Sequence, residues 1–412
     1  MSGLEKMMQN KKAINAICIG VLCSLSYLAV YFARNTLGAI APHMGMSDSF
    51  IGNMSSIYFL TYAIGQLING YIGDKIKARY MISGGLLFAG IANLLIPLFL
   101  PANETGSVIA YGVTGFFLSM IYGPMTKIVA ENTEPVYATR CSLGYEVAGF
   151  VGAPAAGLAA SVFAWQGVIY AGSAILTGMA MVFFAVCAGF ERKGIVRYNR
   201  FKKTEEGKKG GAGAFIESIR VLIERRILKF TVISIITGVI RTTVVFWMPT
   251  YFNQYLGFSA EKASAIFAVA SVIITFTTFI SVGTYELLKR NMDLTILIMF
   301  TASTVFFSLL YFIKSPYINV GIMVLAVLAS CGASSMMWCR YCPSLRDTGM
   351  VSGATGYLDF LSYMAAAASS KIFSDAVSHI GWGNLILVWA GLMAIGIVIS
   401  LPTKKHRFTS LA

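Results

Sequence analysis

Twelve stretches of roughly 20 mostly apolar residues recur along this 412-residue chain, each closed off by a polar or turn-forming segment. They fall near residues 13–41, 50–72, 80–100, 107–130, 140–163, 167–190, 230–252, 261–285, 293–313, 317–340, 349–373 and 382–401. A helix of about 20 residues rises about 30 Å, the thickness of a bilayer's hydrocarbon core. Inside that core only helices and closed barrels satisfy every backbone polar group. Composition agrees: 57% of residues are hydrophobic and 12% charged, where a soluble domain carries about 25% charged residues. The reading is therefore an all-α integral membrane protein with 12 transmembrane helices. The opening MSGLEKMMQNKK lacks a small-residue cleavage site, so the first stretch is expected to be a retained anchor.

Orientation follows from the 32 Lys and Arg. With the N-terminus placed in the cytoplasm, 27 fall in cytoplasmic segments, 12 of them within 191–229. Outer segments hold Lys262, Lys314 and Lys371, and Arg34 and Arg241 lie inside apolar stretches. That asymmetry is a positive-inside signal, placing both termini in the cytoplasm of a cell (inner) membrane. The formal net charge of +14 thus reflects membrane topology, and nucleic acid is not expected as a partner. The expected partners are the lipid bilayer and a small anion, with the chain a monomer that holds no cofactor.

The longest polar segment divides the chain into a six-helix bundle at 1–190, a basic cytoplasmic linker at 191–229 and a second six-helix bundle at 230–412. The linker carries a short amphipathic stretch from Phe215 to Arg226, suited to the inner leaflet surface. The halves echo one another. Pro42 follows Arg34 by eight residues, Pro249 follows Arg241 by eight, and the two arginines lie 207 residues apart. Gly144-Tyr145-Glu146 is matched by Gly356-Tyr357-Leu358-Asp359, with the Gly-Tyr pairs 212 residues apart. Parallel six-helix repeats with substrate bound near the midplane are a known transporter design. Two arginines at repeat-related positions offer paired forks for a phosphate or carboxylate, since an uncompensated guanidinium in hydrocarbon is costly.

The seven cysteines are scattered, and Cys339 and Cys342 in WCRYC have no second pair and only three histidines to draw on. Neither a metal site nor structural disulfides are expected.

GYIGDKIKAR (70–79), with the 12 stretches and the central basic loop, resembles the major facilitator superfamily. Within it, YFARNTLGAIAP (31–42) and RTTVVFWMPTY (241–251) resemble the organophosphate:phosphate antiporters, which include glycerol-3-phosphate and hexose-phosphate transporters. GATGYLDFLSYMAAA (353–367) is similar to that family's eleventh helix and IYGPMTK (121–127) to its fourth. The resemblance implies an alternating-access carrier in which Arg34 and Arg241 grip a phosphate group, commonly in exchange for inorganic phosphate. It implies that Gly73, Asp74, Lys75 and Arg79 form an inner-gate loop, with Lys127 at a basic position of helix four. Asn35, Tyr58, Tyr62, Gln66, Tyr145, Trp247 and Tyr357 are the further candidate cavity residues.

Departures are informative. Asn35 stands where those bacterial transporters have a lysine, Gln66 where helix two offers another, and Tyr145 where helix five has a histidine. Glu146 and Asp359 are additional acids, which neutralise the arginines, titrate to couple transport to protons, or hold an amine. These readings stay open here, beside the plainer one that the acids face polar backbone or water near a helix end. A membrane sensor of a phosphorylated metabolite is a rival function. A channel is another, and an intramembrane enzyme has no paired nucleophile and base to recommend it.

Overall fold

The computed structural model describes residues 3–73, 76–100, 102–198, 220, 222–345 and 351–401. The amphipathic linker stretch from Phe215, apart from its last few residues, and the gate residues Asp74 and Lys75 lie outside them. So does the Glu146 side chain. The described residues form helices and no strand. They run as α1 (Gly3–Ile40), α2 (Asp48–Gly73), α3 (Ala78–Phe99), α4 (Glu104–Asn132), α5 (Pro135–Val162) and α6 (Trp165–Arg192). After the linker come α7 (Ile227–Gln254), α8 (Ala260–Leu287), α9 (Met292–Phe312) and α10 (Pro316–Tyr341). The run Val351–Ser400 is broken at Gly381, which takes φ 72° and ψ 167°. Residues 351–380 are therefore α11 and residues 382–400 are α12. Only glycine adopts that backbone readily, so the turn between these two helices is drawn as tightly as one residue permits.

Among the described residues nine helical runs are both long and apolar enough to cross a bilayer. The last of them holds α11 and α12 together. The helices outside this set are α2, with 26 residues, and α5, with 28. Both are long enough to span; Asn53, Gln66 and Asn69 dilute α2, and the apolar stretch of α5 among the described residues is Val147–Val162. These are the helices in which several candidate site residues sit. The first helix begins at Gly3, ten residues ahead of the apolar run.

The chain forms two compact units, one of Met1–Arg200 with Ser259–Val272, the other of Phe201–Phe258 with Ile273–Ala412. In the first, α5 lies against α1 through glycine. A Cβ at Gly152 would stand 2.7 Å from the Phe32 amide nitrogen, so the two backbones approach more closely than any other residue allows. In the second, hydroxyl groups join α7 to α11. Ser234 Oγ donates to the Leu358 carbonyl (2.6 Å) and Thr243 Oγ1 lies 2.8 Å from Ser369 Oγ. Lipid supplies no hydrophobic drive between helices, so close backbone packing and such hydrogen bonds hold them together.

Charged groups gather at helix ends that the residue bias assigns to the cytoplasm. Arg79 Nη1 on α3 pairs with Glu191 Oε2 on α6 at 3.1 Å, with both side chains largely buried. The Tyr198 hydroxyl donates to Glu191 Oε1 (3.0 Å) and accepts from the Arg79 amide (3.3 Å). Burial pushes the Tyr198 phenol well up from its ordinary value, so it stays a donor. In the second unit Asp293 of α9 receives Arg226 through two bonds (2.9 and 3.2 Å) and Lys229 through one (2.9 Å).

Candidate functional site

On α1, Tyr27, Tyr31 and Arg34 follow at steps of four and three, which places them along one helix face. The Arg34 guanidinium carbon lies 5.2 Å from the Tyr31 ring centroid and 5.5 Å from that of Tyr62 on α2. Both are cation–π distances, and the π faces replace part of the hydration that a buried guanidinium gives up. The tyrosines support one another: Tyr62 stacks on Tyr58 at 6.1 Å, and Tyr58 on Tyr111 of α4 at 4.6 Å. The Tyr111 hydroxyl reaches back to the Arg34 carbonyl at 3.4 Å. Asn35 spends an amide hydrogen on its own helix, donating to the Tyr31 carbonyl at 2.7 Å, a back-bond that competes with ligand contact. Gln66 sits one turn beyond Tyr62, half-buried.

Tyr145 of α5 is buried and meets Tyr27 edge-on at 5.9 Å and Tyr122 at 6.2 Å. Tyr27 also lies 4.8 Å from Tyr31, so one aromatic surface runs from Tyr122 to Tyr111 past Arg34. Tyr27 and Tyr111 were not among the residues singled out from the sequence. The four-and-three spacing from Tyr27 to Arg34 was a signal for the first. Tyr111, on another helix, had none.

In the second unit Arg241 lies in a π-helical segment, Val239–Val244, within α7. Such bulges insert an extra residue into the turn and recur at functional sites. Its Nη2 stands 4.0 Å from Asp359 Oδ1 on α11, with each side chain about a third exposed (32% and 31%). Trp247 is 1% exposed, its ring 5.6 Å from that of Phe246, which places it in the helical core.

Tyr357 precedes Asp359 by two residues, and residues at that spacing face different sides of a helix. Its hydroxyl meets Thr231 Oγ1 at 3.5 Å. Thr231 lies ten residues before Arg241, about 15 Å along the helix axis. The Tyr357 hydroxyl is thus turned toward the start of α7. The Gly-Tyr echo joins a buried Tyr145 to a Tyr357 that is 43% exposed.

Of the gate candidates, Gly73 closes α2, Arg79 is bound to Glu191 and lies over Tyr80 at 4.6 Å, and Lys127 is half-buried on α4. Among the described residues no three His, Cys, Asp or Glu side chains gather as a metal site.

The Major Facilitator Superfamily profile matches residues 22–370. The chain belongs to that superfamily. It is a multi-pass membrane transporter rather than an enzyme, with the all-α major-facilitator fold. Solved structures agree on the fold. A mutant of the nucleoside transporter NupG superposes with a TM-score of 0.74 over 94% of this chain and 98% of that one, at 13% identity. The Chlamydia trachomatis protein called "Probable hexose phosphate transport protein" is 18% identical over 94% of this chain and 90% of its own length. The Escherichia coli "Membrane sensor protein UhpC" is 32% identical, over 17% of each chain. The resemblance to the organophosphate:phosphate antiporters is thus carried by relatives as well as by motifs.

Proposed function

We propose that this transporter moves an organic anion, a phosphate-bearing small molecule, by alternating access and in exchange for inorganic phosphate. The observation that carries the reading is an arginine at matched positions of α1 and α7, each within an apolar helix. Arg34 is set against tyrosine faces and Arg241 beside a carboxylate at 4.0 Å. A guanidinium fork binds a tetrahedral anion bidentately, and an anion relieves the desolvation of such a buried charge. Relatives called hexose phosphate transport proteins support the phosphate-bearing class. The six-helix halves at 1–190 and 230–412 would move as the two bodies of the cycle.

Asp359 favours a second reading. A carboxylate beside Arg241 can titrate or hold an amine, giving a proton-coupled symporter of an organic anion or zwitterion, with Glu146 as the other candidate. The short match to a membrane sensor leaves sensing without transport as the third reading.

Proteoliposomes loaded with inorganic phosphate and screened for counterflow against phosphate esters and carboxylates test all three. Saturable exchange with a phosphate ester is the expected result. Exchange with none, together with uptake driven by a proton gradient, replaces the antiporter with the symporter. Binding without flux indicates the sensor.

A further inference from the structure

Next to the Arg34 backbone the first unit encloses a cavity of about 10 Å3. On the same scale one water requires about 10–15 Å3. Helices α1, α3, α4 and α6 wall the cavity, and three of the side chains that line it are polar: Thr36, Asn93 and Tyr111. Each of the three is only 2% exposed.

Their hydrogen bonds leave the cavity one kind of atom. Asn93 Nδ2 donates to the Ile169 carbonyl (3.3 Å) and to Ser173 Oγ (3.0 Å). Ser173 Oγ places its own proton on the Ile169 carbonyl (3.0 Å), so the Asn93 atom that faces it must be the amide nitrogen. Asn93 Oδ1 is left over, and among the described residues no group donates to it. Thr36 Oγ1 donates to the Phe32 carbonyl (2.8 Å), and the Tyr111 hydroxyl to the Arg34 carbonyl (3.4 Å). A hydroxyl has one proton, so both present only lone pairs to the cavity. Three acceptors around a space of one water's size call for an occupant that donates, since a buried amide oxygen without a donor is costly. No carboxylate lines the cavity and the Arg34 charge bears on Tyr111, which disfavours a metal cation.

We propose that one water molecule is bound in this cavity, donating to Asn93 Oδ1 and to the Tyr111 hydroxyl oxygen, and that Asn93 acts through it as a positioning residue for Arg34. The water ties α3 to α4 beside the arginine. Tyr111 meets Arg34 by two routes. Its hydroxyl holds the Arg34 carbonyl, and its ring stacks on Tyr58, which stacks on Tyr62, whose face lies against the guanidinium. Fixing the Tyr111 hydroxyl therefore fixes both the backbone and the ring that aim the charge. The value of that aim rests on the anion-binding reading above, whereas the water does not depend on it.

X-ray hydroxyl-radical footprinting of the full-length chain in lipid nanodiscs reads the water, because radicals formed from a bound water oxidise the side chains that enclose it. Leu37, Ile96 and Tyr111 line the cavity and should be oxidised severalfold faster than Phe183, which is also buried and lies outside it. Equal rates overturn the water. Asn93→Leu, which fills the space with an apolar side chain of similar size, should bring Leu37 and Ile96 down to the Phe183 rate. Persistent labelling there overturns Asn93 as the residue that holds the water.

Positioning is read twice, in Asn93→Leu and in Tyr111→Phe. A displaced guanidinium uncovers the Tyr62 ring, so Tyr62 labelling should rise severalfold in both, whatever anion is carried. In exchange of labelled inorganic phosphate by proteoliposomes, both should raise KM severalfold and hold kcat. Unchanged Tyr62 labelling in both variants overturns the positioning role, as does a loss confined to kcat. A failure of the unaltered protein to exchange phosphate overturns the antiporter reading and leaves the water and the Tyr62 readout to stand or fall by footprinting.

Discussion

Arg34 and Arg241 occupy equivalent places in the two halves of the sequence and different environments in the protein. Arg34 lies in regular α-helix against the faces of Tyr31 and Tyr62. Arg241 lies in a π segment beside Asp359. The shared step to proline also divides. Pro42 is the middle residue of a short 3-10 turn, Ala41–His43, just after α1 ends, whereas Pro249 stands inside α7. A duplicated sequence thus keeps its charges and changes the means of holding them. Aromatic faces meet one guanidinium, and a carboxylate lies beside the other.

The largest effects should come from the arginines themselves. Arg34→Lys and Arg241→Lys should each lower counterflow more than about a hundredfold with expression intact, because an ammonium cannot reproduce a bidentate fork. Wild-type-like transport in either variant breaks the paired-arginine reading. Asp359→Asn sharpens the contrast between the two sites. Removing a partly exposed competitor, worth about 0.5–1 kcal/mol, should lower the KM for an anion by about two- to fivefold. If transport instead loses its dependence on a proton gradient, Asp359 is a coupling residue. Tyr62→Ala should raise the KM by a factor of about two to four, the worth of one cation–π contact, and Tyr62→Phe should leave it unchanged. The smallest expected change is in Thr243→Val, which removes the Thr243 hydroxyl's contacts with Ser369 Oγ (2.8 Å) and the Ala366 carbonyl (3.2 Å) on α11. It should cost about 0.6 kcal/mol of stability, read by thermal unfolding in detergent.

The helices were legible in the sequence because hydrocarbon imposes one requirement on every span: enough apolar residues to cross and a backbone that satisfies itself. The arginines were legible for the converse reason, since a charge in such a span is rare enough to need an explanation. Tyr27 could have been found from its spacing to Arg34, and Tyr111 could not. Repetition did not carry over to surroundings at Tyr357. The Gly-Tyr echo made it a partner of Tyr145, but two residues along a helix turn a side chain away from Asp359. Its hydroxyl meets Thr231 instead.

By itself the sequence determined an all-α membrane protein, its superfamily and the two arginines set in apolar helices. These follow from composition and period, which are properties of local chain. The tertiary structure decided which groups face those arginines, that α7 widens into a π turn at Arg241, and that the start of α8 packs with α1 and α5. Each of these depends on which helix lies beside which, and a bilayer that rewards any apolar surface equally encodes no partner in an apolar face. Partner choice was left to glycine gaps and single hydroxyl groups such as Gly152, Gly157 and Ser264, whose meaning appears only once their neighbours are in place.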